Sequence, residues 1–264
     1  MASRQTIDDI ARRDWPAAIE RVLQETKQDR VQIMAHCVSA LAIMMYLLDG
    51  QPKNDKVRSL VCSQVGAHPI VPPQTEVKVG IHLANVLRFF GVRDLSAKFD
   101  ARSWRDWAMD QLLKLYPTRE RCNSPVCRRI LFIFHESFHH GQLNRETHDS
   151  VWRWYGSANL RALKQLAVMI REGHVVDEEA NDVYMQNVSN LKLPISLMSG
   201  ELNRSFLPDS TLETYKWLRA NNGRHWYRRK VFRNYGHMDC FVGRNASGDV
   251  YPWIAEQLDC PPHP

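Results

Sequence analysis

Apolar and polar positions follow two periods along the chain, one typical of helices and one typical of buried strands. Apolar residues recur at helical spacing over Trp15–Leu23 and predict an amphipathic helix. The short apolar run Val31–Met34 predicts a buried strand, and the almost uniformly apolar run Ala40–Leu48 predicts a buried helix. A second strand is predicted at Val57–Gln64. Strand, helix and strand in this order are typical of a parallel sheet.

The same order returns near the C-terminus after a long segment of different character. From about residue 72 to residue 185 the pattern is mainly helical and rich in aromatic residues. Strands and helices then alternate again, over Leu193–Met198, Ser210–Ala220, Trp226–Phe232 and Val250–Leu258. The sequence therefore predicts an α/β core over residues 1–71 and 186–264, with a helical cap over 72–185 inserted into it.

Composition and charge narrow the possible classes of partner. Of the 264 residues, 44% are hydrophobic and 24% charged, which is ordinary for a globular protein, and the net charge is +6. The densest basic stretch, Arg224–Arg233, alternates with apolar residues like a half-buried strand, so nucleic acid is not an expected partner. We find no signal-peptide pattern and no apolar run long enough to span a membrane, and we expect a reducing, cytoplasmic location.

Cys37 lies where a predicted strand meets a predicted helix, the position of a nucleophile elbow. Such a turn needs small residues two positions before and two after the nucleophile, and Ala35 and Ser39 meet this need. The field of the helix N-terminus favours an anion, so we expect a lowered thiol pKa there. The backbone N–H of Val38 would then stabilise an oxyanion. A buried structural cysteine is the open alternative.

His237 is the candidate general base, because it follows the last predicted strand in the chain order of nucleophile, acid and histidine. The acid position is less regular. Asn203 stands where an aspartate is usual, and Glu201 lies nearby. A cysteine nucleophile can form a thiolate–imidazolium pair in the ground state, so a neutral asparagine can suffice to orient the imidazole. A decayed triad remains the alternative.

Several segments together resemble the α/β-hydrolase module found fused or adjacent to glucose–methanol–choline-type flavin oxidoreductases of the cholesterol-oxidase-like group. The matching segments are Asp8–Arg12, Asp14–Ala18, Ala35–Val38, Leu60–Val65, Arg121–Arg129, Gln142–Asn144, Thr147–His148 and Tyr235–Cys240. They span nearly the whole chain. The resemblance implies an α/β-hydrolase sheet, a helical cap and a cysteine in the elbow, but it supplies no substrate.

The resemblance also implies a truncated α/β-hydrolase fold. Hydrolases of this kind have four strands before the helix that begins here near residue 13, and those strands carry half of the oxyanion hole. Without them, the strand at Val31–Met34 would present an unpaired apolar edge. We therefore expect a second copy, as in a homodimer, or another chain to cover this edge.

A zinc-type motif offers a different chemistry. His135 and His139 fit the H-E-x-x-H pattern, which on a helix places two imidazoles on one face with a glutamate between them. His140 and His148 are further possible ligands, but no third ligand follows at the usual spacing, so no metal is the leading expectation. Cys122 and Cys127 are interpreted as packing residues of the cap, with a redox pair as the alternative.

The sequence favours an enzyme that acts on an ester, thioester, lactone or related carbonyl of a small lipophilic molecule, without a cofactor. His36, Trp104 and His140 are predicted to contact the substrate. Three alternatives stay open: a non-hydrolytic cyclase or isomerase in the same pocket, a non-catalytic hydrolase-like subunit of a partner enzyme, and a zinc-dependent hydrolase.

Overall fold

The computed structural model describes residues 5–50, 54–73, 94–116, 118 and 122–261. The strands of the described residues are β1 (Val31–His36), β2 (Val57–Ser63), β3 (Asp94–Ser96), β4 (Ser157–Asn159), β5 (Ile195–Gly200) and β6 (Tyr227–Phe232). Four of them form a sheet in the order β1-β2-β5-β6, and every pair in it is parallel. Strands β3 and β4 pair as a separate antiparallel ribbon.

Along the chain, the α-helices of the described residues occur before, between and after these strands. They are α1 (Ile7–Asp9), α2 (Trp15–Thr26), α3 (Val38–Leu48), α4 (Trp104–Leu113), α5 (Pro125–Phe134), α6 (Arg145–Ser150), α7 (Leu160–Glu172), α8 (Pro208–Asn222), α9 (Asp239–Val242), α10 (Ala246–Asp249) and α11 (Tyr251–Asp259). A π-helical stretch, Ile10–Asp14, joins α1 to α2, and short 3-10 turns occur at His140–Gln142, Val151–Arg153 and Met185–Leu191.

The four predicted core strands and the four predicted core helices are confirmed, with boundaries that differ by a few residues at most. Helix α3 shows why: its residues from Ala40 to Leu48 are all buried, as its uniformly apolar sequence requires. The β3–β4 ribbon was not predicted, because three-residue strands within a mainly helical segment leave almost no periodic signal.

The segment predicted as a cap divides between two hydrophobic clusters. Helix α7 packs on the main core of the sheet through residues such as Met169, and Gln165 on the same helix accepts a hydrogen bond of 2.7 Å from the backbone N–H of Ile7. Residues of α5 and the segment after it, including Ile130 and Phe138, form a separate cluster. This second cluster lies next to the candidate site described below.

Strand β1 is an edge strand of the described sheet, because it pairs only with β2 there. Its inward residues Val31, Ile33 and Ala35 are nevertheless buried. Among the residues that the structure describes, every helix is too short or too polar to cross a bilayer.

Candidate active site

Cys37 occupies the sharp turn between β1 and α3. Its backbone has φ 59° and ψ −135°, a conformation that costs a non-glycine residue about 1–3 kcal/mol. The backbone N–H of Cys37 donates to the carbonyl of Ser63 at 3.1 Å, which ties the turn to the end of β2. Ala35 is buried, and the carbonyl of Ser39 accepts a hydrogen bond from the Trp15 indole at 3.3 Å. The elbow geometry predicted from the sequence is therefore present.

The loop that carries His237 follows β6 and packs closely on the end of β5. A Cβ atom on Gly200 would lie 2.1 Å from the carbonyl oxygen of Gly236 and 2.3 Å from that of Tyr235, so only glycine permits this approach. The Asp239 carboxylate accepts the backbone N–H of Gly236 at 2.7 Å and further constrains the loop. The His237 side chain is buried, and its ring centroid lies 4.6 Å from that of His36, the residue before Cys37.

Asn203 is the hydrogen-bond partner of the His237 imidazole. Its Oδ1 lies 3.2 Å from His237 Nδ1 and also accepts the backbone N–H groups of Ser205 and Phe206 at 3.0 and 3.2 Å. Its Nδ2 donates to Oε1 of Gln64 at 2.8 Å. Because two backbone donors fix which end of the amide is oxygen, His237 Nδ1 must be the donor. The proton on Nδ1 leaves Nε2 as an acceptor, the tautomer that a general base requires.

Gln64 is a positioning residue that the sequence interpretation missed. Its Oε1 accepts from Asn203 and from the backbone N–H of Gly200 at 3.0 Å, while its Nε2 donates to the carbonyl of His237 at 2.9 Å. It is fully buried and has φ 78°, a backbone conformation unusual outside glycine. Its place directly after the apolar strand β2 is the signal that could have revealed it, since ligand sites in such sheets lie at the carboxyl ends of strands.

Burial favours the neutral form of both Cys37 and His237. It raises the pKa of the Cys37 thiol to about 11, although the backbone N–H of Val38 acts in the opposite direction. It also lowers the pKa of His237 well below the usual histidine value, and the neighbouring His36 contributes to this fall. Burial likewise lowers the pKa of His36 to about 4. The lowered thiol pKa expected from the helix field is therefore wrong, because desolvation outweighs that field.

Aromatic side chains surround the two histidines. The ring centroid of Phe241 lies 4.8 Å from that of His36, and the ring centroid of Phe206 lies 6.1 Å from that of His237. Tyr155 lies on the cap side, with its ring centroid 5.1 Å from that of Phe134. Burial raises the pKa of the Tyr155 phenol, and the negative charge of a Cys37 thiolate would raise it further. The Ser137 hydroxyl is also nearby and lowers the same pKa.

Three further predicted site residues have surroundings of their own in the described structure. Glu201 is exposed and accepts the backbone N–H of Asn234 at 3.1 Å, whereas Asn203 is the residue that contacts the imidazole. Trp104 begins α4 with 73% of its surface exposed, which contradicts a lining role in the described structure. His140 lies in a 3-10 turn of the cap beside His148, with 5.4 Å between the ring centroids.

The H-E-x-x-H motif does not lie on a helix. Helix α5 ends at Phe134, and His135 has φ 66° and ψ −166°, which turns the chain away from the helix axis. His139 lies in the following loop, where its backbone N–H donates to the Asp239 carboxylate at 3.3 Å. The two histidines therefore lack the one-turn helical spacing on which this type of zinc site depends.

Comparison with solved structures identifies the fold. A monoacylglycerol lipase of Paleococcus ferrophilus matches with a TM-score of 0.51 and 13% identity, over 97% of this chain and 76% of that chain. A carboxyl esterase from Bacillus coagulans matches with a TM-score of 0.55 and 12% identity, over 96% and 71%. A thermophilic esterase from Thermogutta terrifontis matches with a TM-score of 0.50 and 12% identity, over 98% and 75%. The chain has an α/β-hydrolase fold.

The α/β-hydrolase fold predicted from the sequence is thus confirmed. No protein-family model and no curated protein matches the sequence. An identity of 12–13% to these three structures shows a shared architecture, and a shared fold does not establish a shared chemistry. The predicted association with flavin oxidoreductases remains a prediction.

Proposed function

We propose that this α/β-hydrolase chain cleaves an ester, thioester or lactone of a small lipophilic molecule, with Cys37 as the nucleophile and His237 as the base. The observation that carries the proposal is the tautomer of His237, fixed by Asn203, together with the 4.6 Å between the ring centroids of His237 and His36, the residue that precedes Cys37 in the elbow turn. This tautomer leaves Nε2 as the acceptor of a proton, which a general base requires. A strained elbow turn exposes its side chain, which a nucleophile requires.

The reaction would proceed in two stages. As the Cys37 sulfur bonds to the substrate carbonyl carbon, His237 Nε2 takes the thiol proton and the carbonyl oxygen becomes an oxyanion. Collapse breaks the bond to the leaving group, which takes that proton from His237, and leaves a thioester on Cys37. Water, deprotonated by His237, then attacks the thioester; the carbon–sulfur bond breaks, and the sulfur regains the proton.

Two donors are available for the oxyanion. The Val38 N–H is the first amide of α3 and lies within hydrogen-bonding reach of the Cys37 thiol. The second candidate is the Tyr155 hydroxyl, whose oxygen atom is buried and whose pKa a Cys37 thiolate would raise; it comes from the segment predicted as the cap. A donor that the cap supplies would take the role that a loop of the core plays in other hydrolases. The aromatic rings of Phe206 and Phe241 favour a lipophilic substrate.

The proposal is tested by intact mass spectrometry after brief exposure to activated esters, thioesters and lactones. We expect a stoichiometric acyl adduct on the wild-type chain that disappears as product forms. Cys37→Ala should show no adduct, and Cys260→Ser, which removes an exposed cysteine, should react like the wild type. Adducts that persist in Cys37→Ala, or a wild-type chain that reacts with none of these compounds, would contradict the proposal.

The neutral resting pair favours a second candidate, a proton-transfer reaction such as cyclisation or isomerisation in the same pocket. A thiol with a pKa of about 11 is a weak nucleophile at neutral pH, whereas a neutral buried imidazole is a ready base. In this case His237→Ala would abolish turnover while Cys37→Ala retained it. The two variants therefore separate the candidates.

A further inference from the structure

Four metal-binding side chains meet in the cap, outside the Cys37 site. Cys122, Cys127, His140 and His148 each place one ligand atom within 4.8 Å of those of the other three. The Nε2 atom of His148 lies 3.4 Å from the sulfur of Cys122 and 3.2 Å from that of Cys127. Cys127 is buried and the other three are partly exposed, so an ion from solvent can reach the group.

The spacing of these atoms fits a tetrahedral zinc ion. With bonds of about 2.3 Å to sulfur and about 2.0–2.1 Å to nitrogen, a tetrahedral ion separates a sulfur from a nitrogen ligand by roughly 3.5 Å. The two separations at His148 are close to this value. Two thiolates with two imidazoles are also a donor set of structural zinc sites, and this set disfavours magnesium and calcium, which prefer oxygen.

Neighbouring groups hold the ligands in place. His148 Nδ1 lies 3.1 Å from a carboxylate oxygen of Asp149, so Nε2 faces the sulfurs, as in the carboxylate–histidine pairs that support zinc. The backbone N–H of Ser124 donates to the Cys122 sulfur at 3.4 Å, and the Ser124 hydroxyl caps α5 by accepting the backbone N–H of Cys127, also at 3.4 Å.

Arg128 fixes the segment that carries the first cysteine. It donates to the carbonyl of Cys122 at 2.8 Å and forms a two-pronged pair with Asp110 of α4 at 2.8 and 2.9 Å. The stretch that carries Cys122 and Cys127 is thus already held by other contacts, and an ion would gain affinity from this preorganisation.

We propose that Cys122, Cys127, His140 and His148 bind one zinc ion, which joins the start of α5 to the 3-10 turn at His140–Gln142 and to α6. Four protein ligands leave no open position for substrate or water, so the ion has a structural role. Cysteines that only packed the cap would not need two imidazoles beside them, and a disulfide would not use them.

The zinc ion would stabilise the part of the cap that covers the candidate active site. Cys122 and Cys127 pack in the same hydrophobic cluster as Phe134 and Tyr155. Met238, which follows His237, belongs to this cluster too, and its sulfur lies 3.2 Å from His36 Nε2. Loss of the ion should therefore loosen the aromatic side chains around the two histidines without removing any group that the reaction uses.

The test is a metal analysis of the full chain, purified under reducing conditions without a histidine tag and reconstituted with zinc. We expect about one zinc per chain, as in a single four-ligand site. Cys127→Ser and His148→Ala should lose the ion. The matched controls Cys260→Ser and His139→Ala should keep it, since both replace residues outside the four-ligand group.

Cobalt substitution of the wild-type chain gives a second readout that needs no variant to fold. Bound cobalt should show the visible bands of a tetrahedral ion together with thiolate-to-cobalt charge transfer in the near ultraviolet. A wild-type chain that binds neither zinc nor cobalt after reconstitution would overturn the proposal. So would zinc that survives Cys127→Ser but is lost in His139→Ala, or a Cys122–Cys127 disulfide in protein kept under reducing conditions.

Discussion

Replacing Asn203 by aspartate tests whether the site is built around an amide or descends from a catalytic acid that has been lost. In the wild type, Asn203 Nδ2 donates to Oε1 of Gln64 at 2.8 Å. The introduced aspartate would place a carboxylate oxygen against that acceptor. Flipping the Gln64 amide would not relieve this repulsion. The flipped amide would place the Gln64 oxygen against the carbonyl oxygen of His237 and the Gln64 NH₂ group against the N–H of Gly200.

The magnitude follows from the number of mismatched groups. Either orientation of Gln64 leaves one or two buried polar groups without a partner, at about 1–3 kcal/mol each, so Asn203→Asp should lower the free energy of unfolding by roughly 1–6 kcal/mol near pH 7. The penalty depends on pH. When protonated, the introduced carboxyl group donates to Gln64 as the amide does, so its folded-state pKa lies above its unfolded value of about 3.9. The penalty is therefore absent below about pH 4 and grows as the pH rises through the folded-state pKa.

Urea unfolding at acidic and neutral pH measures this difference between wild type and Asn203→Asp. Asn144→Asp is the matched control, since Asn144 is an exposed helix cap that accepts the backbone N–H of Thr147 at 2.7 Å, and aspartate caps equally well. The reasoning would be refuted if Asn203→Asp were as stable as the wild type at pH 7 and more active. That result would mean that a new carboxylate pairs with a protonated His237, as in an ordinary triad.

Four further predictions concern the same site and the sheet. Because burial lowers the pKa of His237, the imidazole stays neutral below the usual histidine range, so activity should persist at pH values where an ordinary histidine is protonated; a fall centred near pH 6.5 in kcat/KM would contradict this. Tyr155→Phe should lower kcat on the order of 100-fold with little change in unfolding free energy if the hydroxyl binds the oxyanion, and an unchanged kcat would exclude that role. Gly200→Ala should lower the free energy of unfolding by about 1–3 kcal/mol and displace the His237 loop. Wild-type stability in urea unfolding would count against the close approach of Gly200 to the carbonyl oxygen of Gly236. If another copy or chain covers β1, sedimentation should show a dimer or a larger complex, and a monodisperse monomer would argue strongly against it.

The sequence determined the parts of this protein that depend on local pattern. Uniform apolar runs such as Ala40–Leu48 are buried wherever they lie, because exposing them to water is costly. The small residues around Cys37 were likewise sufficient to predict the elbow, since a sharp turn excludes larger side chains whatever the rest of the fold does. His237 and Asn203 could be placed because each follows a predicted strand, and the carboxyl ends of parallel strands meet at one edge.

Only the tertiary structure decided the pKa values of the site residues and which side chains contact one another. The sequence suggested a reactive thiolate, but the pKa of Cys37 depends on how much of the fold covers it, and desolvation prevailed over the helix field. Gln64 gained its role from atoms of β5 and of the His237 loop, far away in the chain. In the cap, the helix stopped at Phe134 and separated His135 from His139, whereas two cysteines and two histidines with no familiar spacing came together. Such groupings arise from packing between distant segments, which periodicity along the chain does not encode.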